Sequence, residues 1–244
     1  QLLNDYKIST FNNVFSKMNK LVQIHKLGKI SYVDSLKLQN KLVDLHRSNE
    51  ATINALLLLE HPPVYTIGIR TKDYTAEDEK KLLATGAEFH RTNRGGLITF
   101  HGPGQLVVYP ILNLKHFTPS MRWYVCHLEK TIINLCENLG LKAETSPHTG
   151  VWINDNKVCA IGVHGSQFIT SHGLALNCCT NLEWYRHIVP CGIKDKWVTS
   201  LSKELNRHVS IDEIMPLFLN SFCKTFNCTY VDVDRSPIMT VEPL

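Results

Sequence analysis

The segment GVWINDNKVCAIGV, Gly150 to Val163, decides the fold. Two apolar runs, 150–154 and 157–163, flank Asn154-Asp155-Asn156, residue types that tolerate the positive φ of a tight reversal. The segment therefore reads as a β-hairpin, and Leu174 to Asn177 continues its sheet. On its N-terminal side, Met121 to Leu139 is the clearest helix in the chain. Val125, Leu128, Ile132, Leu135 and Leu139 share one stripe, and Gly140 follows the end. Further out, Ser31 to His46 reads as a helix, Ile53 to Leu59 as an apolar strand, and Val64 to Ile69 as a strand after Pro62-Pro63. Ala76 to Ala84 is a charged helix stopped by Gly86. Short strands follow at Ala87 to Arg91, Leu97 to His101 and Leu106 to Leu112, the last two separated by Gly102-Pro103-Gly104. Ser210 and Glu213 form a capping-box pattern for a helix reaching Phe226, in which Pro216 predicts a kink or a late start. Cys228 to Val233 is the closing strand. Hairpins mixed with helices, without regular βαβ alternation, predict an α+β fold with a mixed sheet flanked by helices.

At 244 residues and 43% hydrophobic content the chain is long enough for one sizeable core, and no Pro/Gly/Ser-rich linker divides it. The expected organisation is a catalytic domain over 21–234, a tail over 235–244 and an extension over 1–20. In that extension Lys7, Lys17 and Lys20 outnumber Asp5, faintly like the remnant of an organellar transit segment. No apolar run approaches the ~20 residues of a spanning helix, so a soluble chain without a membrane partner is expected. The formal charge of +4 is spread among acids. That patterning argues against a nucleic-acid surface. The eight cysteines are irregularly spaced and read as reduced thiols. Cys126, Cys136 and Cys223 are expected to be small buried hydrophobes, and Cys178-Cys179 strand residues. No C-x-x-C or H-x-x-x-H pair occurs, so no metal site is expected.

The chemistry-bearing residues stand in loops and glycine-rich runs. Cys191 sits in His187-Ile188-Val189-Pro190-Cys191-Gly192, a loop and not a helix stripe. Upstream lie Arg94 to Gln105, rich in glycine, and Lys157 to Gly162. A thiol with nearby glycine-rich backbone and a lysine suggests thioester chemistry. A free thiol has a pKa of about 8.5 and is only a few per cent thiolate at pH 7, and a neighbouring cation favours the thiolate. An ammonium ~4 Å away contributes up to about 4 kcal/mol at an effective dielectric of about 20. A two-unit shift requires only ~2.7 kcal/mol. His101 and His172 lie within the same motifs, with no role assigned to either.

The run RGGLITFHGPGQLVVY, Arg94 to Tyr109, resembles the signature of the lipoyl(octanoyl) transferases. So do Gly150-Val151-Trp152 to Gly162, His172 to Asn177, and Val189-Pro190-Cys191-Gly192 through Val198-Thr199-Ser200-Leu201. The similarity runs from about Leu21 to Asp234, and the wording is closest to the mitochondrial branch. The resemblance implies the catalytic fold of the biotin and lipoate protein ligases and a ping-pong acyl transfer that needs no cofactor. Octanoate would pass from octanoyl acyl carrier protein to Cys191, with Lys157 as the other half of a dyad. It would then pass to a lysine of a lipoyl-accepting protein, such as the glycine cleavage H protein or a 2-oxoacid dehydrogenase acyltransferase subunit. Mitochondrial matrix is the implied location. The acyl pocket would comprise Arg94, Gly95, Gly96, Leu97, Ile98, Thr99, Phe100 and His101, completed by Ala160, Ile161, Gly162, Gly173, Leu174 and Ala175. Two other classes stay open: an ATP-dependent lipoate or biotin ligase of the same fold, and a non-catalytic module that binds acyl carrier or lipoyl domains.

Overall fold

The structure, a computed structural model, describes residues 20–48, 54–71, 74–188 and 197–233. Strand β1 (Leu21–Lys29) leads into helix α1 (Tyr32–Arg47), then β2 (Asn54–Glu60), β3 (Val64–Ile67), helix α2 (Ala76–Leu83), β4 (Glu88–Arg91), β5 (Thr99–His101) and β6 (Gln105–Ile111). Helix α3 (Met121–Asn138) precedes β7 (Val151–Ile153), β8 (Asn156–Ser166) and β9 (Ile169–Asn177). Then come β10 (Trp197–Val198), the short helix α4 (Leu201–Glu204), helix α5 (Ile211–Phe226) and β11 (Thr229–Asp232). A mixed sheet runs in the order β10-β8-β9-β6-β2-β1-β11, with β7 paired to β8, and β4-β3-β5 form a smaller sheet.

Strand alternation divides the core into two faces. Even-numbered Val22, Ile24, Leu56, Leu58, Leu106, Val108 and Leu176 pack with Leu128, Ile132, Phe218 and Phe222 of α3 and α5. Odd-numbered Leu57, Leu59, Val107, Tyr109 and Ala175 form a second cluster, against which Leu38 and Leu42 of α1 pack. A strand covered on both faces has no polar alternation, which is why β2 reads as the unbroken run ALLLL.

The 150–163 hairpin forms as expected, with Asn154 at φ 53° in its turn. Its second strand is longer than expected. Strand β8 continues to Ser166 and turns through Gln167 and Phe168, both at positive φ, into β9. Neither residue type announces such a turn; the eight registered pairs from Cys159–Leu176 to Ser166–Ile169 hold it instead. The Gly102-Pro103-Gly104 turn hands the chain from the small sheet to the large one, so β5 pairs with β3 and β6 with β2 and β9. Strand β1, which carries Lys26, Gly28 and Lys29 among its apolar residues, was not expected. Helix α5 starts at Ile211, capped by the Ser210 hydroxyl, and runs through Pro216 without a late start. The carbonyl of Asp212, which loses its partner there, belongs to an exposed residue.

The cysteine expectations hold only in part. Cys136 is buried, whereas Cys126 is exposed and Cys223 half-buried. Cys126 lies one residue, about 100° of helix, past Val125 and so off the buried stripe. Cys178 and Cys179 lie in a bend after β9, where both backbone N–H groups donate to the Gly104 carbonyl at 3.2 and 3.0 Å. The expected extension and tail, 1–20 and 235–244, fall outside the described residues except for Lys20.

Candidate active site

Alternation leaves a gap where β8 and β9 run out of side chain. Ala160 pairs with Ala175 and Gly162 with Gly173, so this stretch of sheet offers two methyl groups and bare backbone. Above it lies a cavity of about 170 Å³. The 94–99 loop closes one side of it, and residues 147–149 with Lys157 close another. Gly162 is obligatory: a Cβ there would stand 2.9 Å from the Gly95 carbonyl oxygen and 3.1 Å from the Arg94 guanidinium.

Arg94 fixes that loop. Its side chain is 7% exposed, and Nη2 donates to the Thr66 carbonyl at 2.7 Å, the Thr66 hydroxyl at 3.0 Å and the Leu97 carbonyl at 3.0 Å. The buried charge ties the glycine-rich loop to β3, a binding of backbone to backbone through one guanidinium. From Thr66 the hydrogen bonds continue in one direction. The Thr66 hydroxyl donates to His101 Nε2 at 3.2 Å, and His101 Nδ1 donates to Gln105 Oε1 at 2.8 Å, a tautomer set by the amide oxygen. Gln105 Nε2 donates to Asn177 Oδ1 at 2.9 Å, and Asn177 Nδ2 to the Thr199 carbonyl at 2.9 Å. Thr199 N–H in turn donates to the Lys157 carbonyl at 2.9 Å.

The histidines around this chain are neutral. Burial, then the proximity of His61 and the Arg94 charge, pushes His101 down to about 3; burial, then Arg94, pushes His172 down to about 4. His61, lowered to about 4 mainly by burial, donates through Nδ1 to the Ile30 carbonyl and accepts the Tyr109 hydroxyl at Nε2. These rings are hydrogen-bonding supports at physiological pH, not cations.

Lys157 enters the cavity from the start of β8 and is only 6% exposed. Its Nζ donates to the Thr149 carbonyl at 2.9 Å and stands 4.7 Å from the centre of the Trp152 ring. Two hydrogen bonds position the loop that carries Thr149. Glu129 of α3, buried and with its carboxyl pKa raised chiefly by desolvation, accepts the Gly150 N–H at 3.1 Å. Trp152 Nε1 donates to the His148 carbonyl at 3.0 Å. Gly150 adopts φ +125°, and a Cβ there would sit 3.1 Å from Lys157 Cε. The result is a buried lysine held at one edge of a cavity whose floor offers no side chain larger than a methyl group to obstruct a slender apolar ligand.

Residues 31–223 match the lipoyl protein ligase A/B catalytic domain family. The chain belongs to this family. It is 52% identical over 229 residues to the putative lipoyltransferase 2, mitochondrial, of Drosophila melanogaster, covering 91% of this chain and 97% of that protein. It is 46% identical over 224 residues to the human octanoyl-[acyl-carrier-protein]:protein N-octanoyltransferase LIPT2, mitochondrial, covering 87% of this chain and 96% of that protein. A crystal structure of lipoate-protein ligase A bound with ATP superposes with a TM-score of 0.69 at 15% identity, covering 87% of this chain and 89% of that one. The last comparison places the α+β architecture among the lipoate ligase folds.

Of the family's expected acyl-pocket residues, Arg94, Gly96, Leu97, Ile98, Thr99, His101, Ala160, Ile161, Gly162, Gly173, Leu174 and Ala175 line the cavity together with Lys157. Gly95 and Phe100 do not. Gly95 N–H donates to the Val163 carbonyl at 2.9 Å, bracing the loop on β8. Phe100 points the opposite way from Thr99 and His101 along β5 and stacks 5.1 Å from Trp184 in a separate core. Cys191 lies outside the described residues. Tyr32, Arg70, Tyr109 and the 147–149 loop also line the cavity and were not anticipated. Thr149 contributes a backbone carbonyl, which no side-chain pattern advertises, and Tyr32 arrives from the start of a helix remote in sequence.

Proposed function

We propose that this chain is a mitochondrial octanoyltransferase, moving an octanoyl group from octanoyl acyl carrier protein to a lysine of a lipoyl-accepting protein. The family membership and the names of its relatives support the reaction. The observation that carries the mechanism is the buried Lys157 ammonium at the cavity wall, beside which the chain re-enters after the Cys191 segment: Trp197 and Val198 pair with Asn156 and Lys157. In this reading the Cys191 thiolate attacks the carrier thioester, the carrier's C–S bond breaks, and the carrier leaves as a thiolate stabilised by the Lys157 charge, taking the Lys157 proton only after the bond has broken. The acceptor amine then attacks the Cys191 thioester and neutral Lys157 takes the proton from the attacking nitrogen. Cys191 leaves as a thiolate, again paired with an ammonium, and the cycle closes without ATP. The matrix is the compartment this reading assigns, and the glycine cleavage H protein and 2-oxoacid dehydrogenase acyltransferase subunits are the acceptors.

Intact-protein mass spectrometry after mixing the chain with octanoyl acyl carrier protein, without ATP, tests the reading. One octanoyl adduct is expected, removed by hydroxylamine and absent in Cys191→Ala. No adduct, with transfer appearing only when ATP and free octanoate or lipoate are supplied, would move the protein to the ligase class.

A further inference from the structure

The cavity lining carries three basic side chains, Arg70, Arg94 and Lys157, and no Asp or Glu among the described residues. Two of the three are committed. Arg94 is spent on Thr66, Gly95 and Leu97, and Lys157 donates to Thr149. Arg70 differs: it is exposed, and no hydrogen bond or ion pair engages its side chain among the described residues. Its backbone is nonetheless fixed. Arg70 N–H donates to the Gly96 carbonyl at 3.4 Å and Ile69 N–H to the Arg94 carbonyl at 3.0 Å. At Gly68 a Cβ would meet those same two carbonyl oxygens at 2.5 and 2.6 Å, so the end of β3 is pressed onto the glycine-rich loop. Ile69 beside it is 67% exposed. An uncommitted guanidinium on an anchored backbone, next to an exposed apolar side chain at the rim of a carboxylate-free cavity, is suited to an anion arriving from solvent.

An octanoyl thioester is neutral, so the acyl group does not supply that anion, and an acceptor lysine would be repelled by Arg70. The donor does supply one, because a carrier presents its acyl group on a phosphopantetheine arm. Resting on the octanoyl-transfer reading above, we infer that Arg70 is the phosphate-binding contact for the donor's prosthetic arm, a specificity determinant of the first half-reaction separate from the acyl pocket. A charge-assisted, two-pronged contact of this kind outlasts a simple surface ion pair, yet at an exposed rim it weakens with salt.

The test compares two soluble donors differing only in the phosphate, octanoyl-4′-phosphopantetheine and octanoyl-pantetheine, in single-turnover acylation of the full chain read by intact mass. The wild type is expected to prefer the phosphorylated donor by about tenfold in kcat/KM at low salt, ~1.4 kcal/mol. The preference should shrink in high salt. Arg70→Ala should reduce it to near unity and Arg70→Lys should retain part of it; both variants lie at an exposed site and are checked for unchanged Tm. A preference that survives in Arg70→Ala, or a wild type with none, overturns the assignment while leaving octanoyl transfer standing. A wild type acylated by neither of these donors nor by octanoyl acyl carrier protein overturns the transfer reading and the Arg70 assignment with it.

Discussion

The Lys157 ammonium donates a 2.9 Å hydrogen bond to the carbonyl oxygen of Thr149, and both residues line the same cavity. A carbonyl can hold an ammonium but cannot take its proton permanently, so Lys157 is oriented without being neutralised by a carboxylate at that bond. If the lysine serves only as a charge, any cation of similar reach should replace it. If it also accepts the acceptor's proton, a cation that stays protonated should not. Lys157→Arg is therefore expected to form the octanoyl-enzyme within about tenfold of the wild-type rate while transfer falls by roughly 10²–10⁴. Lys157→Met should lose both steps. Rapid-quench measurement of each half-reaction separates these outcomes, and equal loss of both in Lys157→Arg would remove the base role.

Glu129 acts on Lys157 through the intervening loop. Its Oε1 accepts the Gly150 N–H, and the preceding residue supplies the carbonyl that holds Nζ. Glu129→Ala leaves a buried N–H unpaired, at a cost of about 1–3 kcal/mol. It should also slow acylation by roughly tenfold as the Thr149 carbonyl drifts. Glu129→Gln keeps an acceptor oxygen and should rescue both stability and acylation. Denaturant midpoints alongside single-turnover rates check the pair; a Gln variant as slow as the Ala variant would show that the charge of Glu129, and not its hydrogen bond, is what matters.

The hairpin, its lysine and the Ala160/Gly162 floor are legible in sequence because each is local: an Asn-Asp-Asn turn, a strand period of two, small residues at alternate positions. What sequence reading misses is what the sheets bring together over long separations. Phe100 sits in the middle of a motif that otherwise lines the cavity, yet pleating turns it to the other side. Tyr32 and Arg70 reach the cavity from the ends of α1 and β3 with no motif of their own. Thr149 works through its backbone, where side-chain identity carries no signal. The polar chain from Arg94 to Thr199 crosses 105 residues of sequence, and only the register of β6 and β9, which pairs Gln105 with Asn177, makes it continuous.

The buried histidines on and beside that chain have a pH signature. His101 is pushed down to about 3 and His61 and His172 to about 4, burial being the largest cause in each. In the unfolded chain each would titrate near 6.5. Between those values the unfolded state binds more protons than the folded one, so stability is full above about pH 6.5 and is lost as pH falls toward 4. Each ring contributes a slope of about 1.4 kcal/mol per pH unit within that window. Urea denaturation at stepped pH should show stability falling by up to about 4 kcal/mol per unit near pH 5. Replacing His172 by Asn should make the fall shallower by roughly one proton; an unchanged slope would mean that His172 titrates alike in both states.

The floor of the cavity predicts how acyl length is read. Ala160 and Ala175 face each other across β8 and β9, and neither side chain extends beyond a methyl group. An apolar tail lying on them contributes about 0.8 kcal/mol per buried methylene, so shortening octanoyl to hexanoyl should lose ~1.6 kcal/mol, a modest discrimination of roughly tenfold in kcat/KM. Ala175→Leu fills that floor with three extra carbons while leaving Lys157 and the 94–99 loop untouched. A longer tail loses more space to the new side chain than a shorter one, so the preference should invert toward hexanoyl while acyl-enzyme still forms. Competition between hexanoyl and octanoyl donors, with the two adducts resolved by mass, reads the ratio directly. An Ala175→Leu variant that slows both chains equally would place the tail elsewhere than over the paired alanines.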